Sequence, residues 1–250
     1  MFKLKKIISF GLVAFVLGSV GCGGKNKLSL ARSKARQDMD ACMKLLEKKK
    51  HDEAIKCFES YKSRHFGQSG AAMADLAVAD TYFAKKDYEV AGQAYQVFIE
   101  TNVTNDKIPY ATFMAGLSYF KATPKSIDRD QANLDLALKY LGMAVQYYPN
   151  FSNAAEAKEA YDKARLKMAK KDFYVGRFYF RTHEYLAAIP RFENILNNYP
   201  QLGLDEQSFY YIIKALKATN QKEIAVKYFD VFKEHFPQSK YIKSTESLLK

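Results

Sequence analysis

The chain has few of the residues from which catalytic and metal centres are most often built: four histidines and three cysteines in 250 residues. His51, His65, His183 and His235 fall at the ends of separate helical segments, with neither paired metal-binding spacing nor a helical His-Glu motif. Gly67-Gln68-Ser69-Gly70 does not have the pattern of a nucleophile elbow. No glycine-rich phosphate loop follows a strand, because no strand pattern is evident. The clustered titratable groups a hydrolase needs are missing, and nucleic-acid binding would rest on the basic balance alone, without a recognition motif. Beyond the N-terminal segment no apolar run is a candidate to cross a bilayer. The expectation is a non-enzymatic protein with no cofactor, no metal and no nucleic-acid partner.

What the chain does contain is a repeat. Ala54, Ala91, Ala137, Ala188 and Ala225 are each followed four residues later by a large apolar side chain: Phe58, Tyr95, Leu141, Phe192 and Phe229. In three units a Tyr-Pro or Phe-Pro pair puts proline twelve residues after the alanine, at Pro149, Pro200 and Pro237. Twelve residues before it stand Cys42, Ala79 and Gly176, and nine before it Leu45, Tyr82 and Tyr179; in the third unit the same pair, Gly116 and Tyr119, is displaced upstream by an insertion. Small residues let two helix backbones approach while the aromatic fills the space beside them, which is the pattern of a tetratricopeptide helix pair. The steps between alanines are 37, 46, 51 and 37 residues. The fold class expected is all-α, a solenoid of five helix pairs, an architecture that binds more often than it catalyses.

Two expansions interrupt the period. Ala122 to Asn133, with Pro124 and Asp128-Arg129-Asp130, extends the turn of repeat three. From Pro149 to Gly176 the chain lacks glycine and proline and is rich in alanine, lysine and glutamate, which predicts a first helix of repeat four from about Ser152 to Arg181. This helix is expected to join an N-terminal block, 29–151 (repeats 1–3), to a C-terminal block, 152–250 (repeats 4–5). Pro190 falls inside the second helix of repeat four and is expected to kink it.

The N-terminus predicts the protein's address. Lys3, Lys5 and Lys6 form a basic region before an apolar stretch, Ile7 to Val20, of signal-peptide length. Ser19-Val20-Gly21-Cys22 resembles a bacterial lipobox, with Ser19 where leucine is usual. It predicts a signal peptide over 1–21, lipidation at Cys22 and a flexible tether over 22–28; an ordinary signal peptide cut near Gly21 is the alternative. Acyl chains contribute about 0.8 kcal/mol per buried methylene, enough together for a stable membrane anchor. Gly23, rather than aspartate, after the cysteine points to the periplasmic face of a Gram-negative outer membrane. Without Lys3, Lys5 and Lys6, 36 of the 39 basic residues face 27 acidic ones, a net charge of +9 that favours acidic partners or anionic headgroups. Cys42 occupies a packing position and reads as a small apolar filler. An oxidising compartment permits a disulfide to Cys57, but the two are expected to be offset along the antiparallel pair.

The same register names an inner face. In such solenoids the first helix of each pair faces inward, giving Met39, Met43 and Leu46 in repeat one. Repeat two contributes Met73, Leu76, Asp80 and Phe83, and repeat three Tyr110, Phe113, Leu117 and Phe120. This is an apolar, methionine-rich groove suited to varied partners, with Arg36 and Lys121 flanking it to receive a carboxylate; packing against the neighbouring repeat is the competing role for these side chains. In the C-terminal block the equivalent positions turn cationic and aromatic: Lys170, Phe173, Arg177, Phe180 and Arg181, then Gln207, Tyr210, Lys214 and Lys217. That composition suits a polar protein surface.

A more specific likeness lies between Asp128 and Pro200. Asp128-Arg129-Asp130, Tyr148-Pro149-Asn150-Phe151-Ser152, Arg165-Leu166 with Met168-Ala169, Val175 to Tyr179, Tyr185 to Ala188, Arg191 and Tyr199-Pro200 resemble the BamD (ComL) family. These are lipoprotein subunits of the outer-membrane β-barrel assembly machine. The resemblance covers nearly the whole mature chain, with five helix pairs in the same order, and implies a scaffold whose N-terminal repeats receive the targeting segment of unfolded barrel proteins. It implies further that the C-terminal repeats dock the POTRA region of the barrel subunit BamA, with Arg191 at that contact beside Arg177, Phe180, Arg181 and Lys214, and that other Bam lipoproteins attach. The chain departs from the family at Phe66-Gly67 and Val103-Thr104, where helix-ending Tyr-Pro is usual, and at Pro190. Another periplasmic repeat lipoprotein, a pilotin or an adaptor for secretin, pilus or cell-wall assembly, is the rival reading.

Overall fold

A computed structural model describes residues 23–65 and 69–250, with backbone alone at 23–28 and at Ser69. The signal peptide, Cys22 and Phe66-Gly67 lie outside the described residues. Among the described residues there are eleven helices and no strand. They are α1 (Gly23–Glu47), α2 (His51–Arg64), α3 (Ser69–Ala84), α4 (Tyr88–Thr101), α5 (Ile108–Ala122), α6 (Ala132–Tyr147), α7 (Ala154–Arg181), α8 (Tyr185–Asn198), α9 (Asp205–Ala218), α10 (Lys222–His235) and α11 (Ile242–Leu249). Each helix packs chiefly on the one before and the one after it. Lighter contacts join α1 to α3, α5 to α7 and α7 to α9, and α11 rests on α9 and α10. Contacts dominated by sequence neighbours make the molecule quasi-one-dimensional.

The alanines of the repeat lie fully buried on the second helix of each pair, and their large partners are buried beside them. The small residues opposite permit the close approach. A Cβ on Gly116 would stand 2.7 Å from the backbone nitrogen of Leu141, and one on Gly176 would stand 2.9 Å from the Phe192 ring.

Four of the turns share one backbone solution that their side chains do not advertise. Lys49, Lys86, His183 and Asn220 all take positive φ, between 57° and 68°, and each lies five residues before its alanine. The N–H of that residue donates to a carbonyl three residues back, and the next N–H reaches five back, as in Lys86 to Phe83 at 3.0 Å and Asp87 to Tyr82 at 3.0 Å. This closes the preceding helix with a left-handed residue, a role glycine fills without a Cβ penalty. Lys86→Gly or His183→Gly is therefore expected to raise stability by about 0.5–1 kcal/mol, read as a higher denaturation midpoint with an unchanged slope. A fall at both sites would count against the backbone origin of this turn.

The long helix α7 has 28 residues and spans about 42 Å at 1.5 Å per residue. Met168 belongs to the apolar core shared with α3 to α6, and Ala169 to the core shared with α8 to α10; a third, smaller core fills α1 to α3. The insertion after α5 is fastened to this helix by Lys167, whose Nζ donates to Thr123 Oγ1 at 2.5 Å and to the Pro124 carbonyl at 2.6 Å. Burial holds the Lys167 ammonium below its ordinary pKa.

Four expectations are corrected. Residues 23–28, expected as a loose tether, are helical. No proline interrupts them, and two glycines weaken a helix by about 1 kcal/mol each without removing a hydrogen bond. Cys42 and Cys57 form a disulfide, Cα to Cα 5.4 Å. They stand seven residues before and eight after the turn residue Lys49, so the antiparallel pair brings them level rather than offset. Helix α8 runs unbroken through Pro190. The carbonyl deprived of a donor there is that of Leu186, whose side chain is 66% exposed, so water can serve it. Finally α11, eight residues without the alanine signature, follows the five predicted pairs.

Candidate functional site

The predicted inner-face residues fall into two hollows. The first, of about 710 Å³, lies between α1 and α3: Arg32, Arg36, Met39 and Met43 form one wall, and Met73, Leu76 and Asp80 the other. Met43 and Met73 are 40% and 47% exposed, unusual for methionine, whereas Leu76 at 5% serves mainly as core. Leu46 packs into the small core of α1 to α3 rather than lining the hollow. Ion pairs tie the outer sides of this unit together, Arg64 to Asp38 at 2.8 Å and Lys62 to Asp75. Among the described residues Arg32, Arg36 and Asp40 have no such partner.

The second hollow, of about 490 Å³, is bounded by Phe83 of α3, by Tyr110, Phe113, Leu117, Phe120 and Lys121 of α5, and by the N-terminal half of α7. Phe113 is 4% exposed and packs on Phe151 at 6.0 Å between ring centroids. The Lys121 ammonium lies over the rings of Phe83 and Tyr88, at 5.9 and 5.6 Å. Arg36 and Lys121 thus serve different hollows. Glu156, Glu159 and Lys163 of α7 complete this rim; sequence reasoning assigned them no role, although the length of α7 had put a second wall within reach.

Asp80 stands at the seam. Its Oδ1 accepts hydrogen bonds from the Tyr95 hydroxyl at 2.5 Å and the Tyr110 hydroxyl at 2.9 Å. Burial pushes the Asp80 carboxyl above the ordinary range, and the two hydrogen bonds act against that shift. Both tyrosine hydroxyls are pushed up by burial, with the Asp80 charge adding to it. The carboxylate is therefore held in a fixed orientation by the two helices that follow α3, Tyr95 on α4 and Tyr110 on α5.

In the C-terminal half Arg177, Phe180 and Lys214 come together. Lys214 Nζ lies 5.4 Å from the Phe180 ring and 5.1 Å from Tyr210, the Arg177 guanidinium 6.0 Å from Tyr211, and Phe180 packs edge-on to Tyr211. Cations over aromatic faces at an exposed site contribute about 0.5–1 kcal/mol each and remain available to a partner. Arg181 is exposed one turn further along α7. Arg191 is elsewhere, on α8, in a hollow of about 550 Å³ with Tyr179, Pro190 and Asn194. Its Nη1 is 3.4 Å from Oδ1 of the buried Asp172, whose Oδ2 accepts from Asn194 at 2.6 Å. A further apolar hollow of about 480 Å³, between α8, α9 and α10 and floored by Phe209 and Phe236, was not foreseen from the register.

Residues 34–226, which include all of the residues lining the α1–α3 and α5–α7 hollows except Arg32, match the family model described as YfiO, outer membrane lipoprotein. The chain belongs to this family. It is 27% identical over 249 residues to the outer membrane protein assembly factor BamD of Rickettsia prowazekii (strain Madrid E), covering 99% of this chain and 98% of that one. To BamD of Caulobacter vibrioides it is 23% identical, over 100% of this chain and 82% of the relative. Among solved structures the TPR2AB domain of yeast Sti1 aligns with 82% of this chain and 78% of its own, at 16% identity and a TM-score of 0.41. The family likeness, carried most specifically by residues 128–200, holds over nearly the whole chain. No described helix is long and apolar enough to cross a membrane.

Proposed function

We propose that this protein is a scaffold subunit of the outer-membrane β-barrel assembly machine, held on the periplasmic face by lipid at Cys22. In this reading the α1–α3 hollow takes the targeting segments of unfolded barrel proteins, and the α7–α9 face with Arg191 docks the POTRA region of BamA. The N-terminal repeats, residues 29–151, receive clients; the C-terminal repeats, residues 152–250, hold the machine. Other Bam lipoproteins are its remaining partners. The observation that carries the client site is one groove with an exposed methionine on each wall, Met43 on α1 and Met73 on α3, beside two arginines, Arg32 and Arg36, that have no ion-pair partner among the described residues. Apolar side chains left in water beside unpaired cations suit a ligand that is greasy and carries a carboxylate.

The test is a pull-down from detergent-solubilised outer membrane with a tag at Lys250, whose side chain is exposed. A POTRA-containing barrel protein is the expected capture; a secretin or pilus component in its place would overturn the assignment. The division of labour has its own test. Met43→Asp with Met73→Asp is expected to weaken client-peptide binding at least tenfold, about 1.4 kcal/mol, and to leave BamA capture intact. Arg177→Glu with Lys214→Glu is expected to do the reverse. Equal loss in both pairs refutes the division. Phe113 is unsuitable for this purpose, because an aspartate in its buried place would unfold the unit. Arg191→Gln is preferable to Arg191→Glu, which would set a second carboxylate against buried Asp172.

A further inference from the structure

We propose that the α1–α3 groove is polarised: it takes an extended apolar segment in one direction only, carboxylate toward Arg32 and Arg36, with a hydrogen-bond donor or cation on Asp80. This rests on the reading of the groove as a peptide site and adds the direction and the chemistry of the ends.

The argument starts from register. Helices α1 and α3 are alternate members of an antiparallel series and so run the same way. The 37-residue step from Ala54 to Ala91 sets Arg36 beside Met73 and Met43 beside Asp80. Seven helical residues separate the two levels, about 10 Å at 1.5 Å per residue, a span an extended segment covers in about three residues. At one end stand Arg32 and Arg36, exposed, one turn apart and without an ion-pair partner among the described residues.

At the other end is Asp80. Both of its tyrosine hydrogen bonds go to Oδ1, so among the described residues Oδ2 has no donor. A carboxylate partly withdrawn from water, clamped on one oxygen and open on the other, is an acceptor waiting for a donor. Asp40 is a turn closer to this end than Arg36 and adds negative charge. Met39 and Leu76 line the level between the two ends, with Met73 at the arginine level and Met43 at that of Asp80. A segment bound the other way round would bring its carboxylate against Asp80 and its cation against the arginines.

The probe is a fluorescein-labelled peptide ending Lys-Val-Leu-Phe with a free carboxylate, titrated by anisotropy into the full chain in detergent micelles. Amidating the peptide and Arg36→Gln should each weaken binding about tenfold, and together no more than either alone, because both remove one contact. Replacing the peptide lysine by norleucine and Asp80→Asn should pair in the same way; asparagine keeps an oxygen for the tyrosines. Cross-pairs should add. Tighter binding on amidation, or four independent effects, overturns the polarity while leaving the groove standing, provided Met73→Asp still removes binding. Binding untouched by Met73→Asp overturns the groove and the polarity together.

Discussion

Replacing Cys42 and Cys57 with serine, or reducing the bond between them, is expected to cost about 3 kcal/mol, the loop-closure value for a cross-link across about 15 residues; the sequence separation here is 15. The location of that loss matters more than its size. Among the described residues helix α1 packs chiefly on α2 and, lightly, on α3. The core beneath it is small, built from alanines, Phe58 and Tyr61. In a molecule whose contacts run between neighbours, a terminal unit can open without the rest. Reduction should therefore raise amide exchange in α1 selectively and leave α5 to α10 protected. Because α1 supplies Arg36, Met39 and Met43, peptide binding at the groove should fall with it. Equal exchange in α1 before and after reduction would mean that packing alone holds the helix.

The parts of the fold that the sequence made legible are those set by side-chain volume. A crossing of two helices needs a small residue, and the alanines of five units announce it at a constant offset from a large neighbour. The turns were not legible in the same way. Lys49, Lys86, His183 and Asn220 share a left-handed conformation and no side-chain chemistry, so the pattern exists only in the hydrogen bonds of the backbone. The disulfide escaped because its geometry depends on where the turn is centred. Placing Lys49 at that centre makes Cys42 and Cys57 nearly symmetric about it. Helix α11 carries no repeat alanine to mark it.

For the candidate site, periodicity named the helices that face inward but could not tell which inward residue the next helix covers. Met43 and Met73 stay exposed, while Leu76 and Phe113, in equivalent-looking positions, are closed over by their neighbours. The division of one groove into two hollows has the same origin: Asp80, Tyr95 and Tyr110 from three successive helices meet at the seam. Arg191 was singled out by resemblance alone. Its partner Asp172 is one of the few carboxylates buried in this molecule, and only the packing of α7 on α8 brings the two together.

Gly116→Val is expected to cost about 4 kcal/mol, with a loss of cooperativity centred on α5 and α6. The glycine is not needed for its backbone freedom, since it sits inside a regular helix. It is needed because an added Cβ would stand 2.7 Å from both the backbone nitrogen and the Cγ of Leu141. A side chain can rotate away from such a contact; the backbone of α6 can move only by lifting the helix off its core. Gly142 provides the control. It is helical too, but its added Cβ would meet the Tyr161 ring at 3.4 Å, an ordinary contact. Gly142→Ala should gain about 0.5–1 kcal/mol from helix propensity. The same propensity gain is present at residue 116, so opposite signs at the two glycines isolate the cost of the close approach. If Gly116→Val melted with the wild type, the small residues at Cys42, Ala79 and Gly176 would lose their common explanation as the points where paired helices meet.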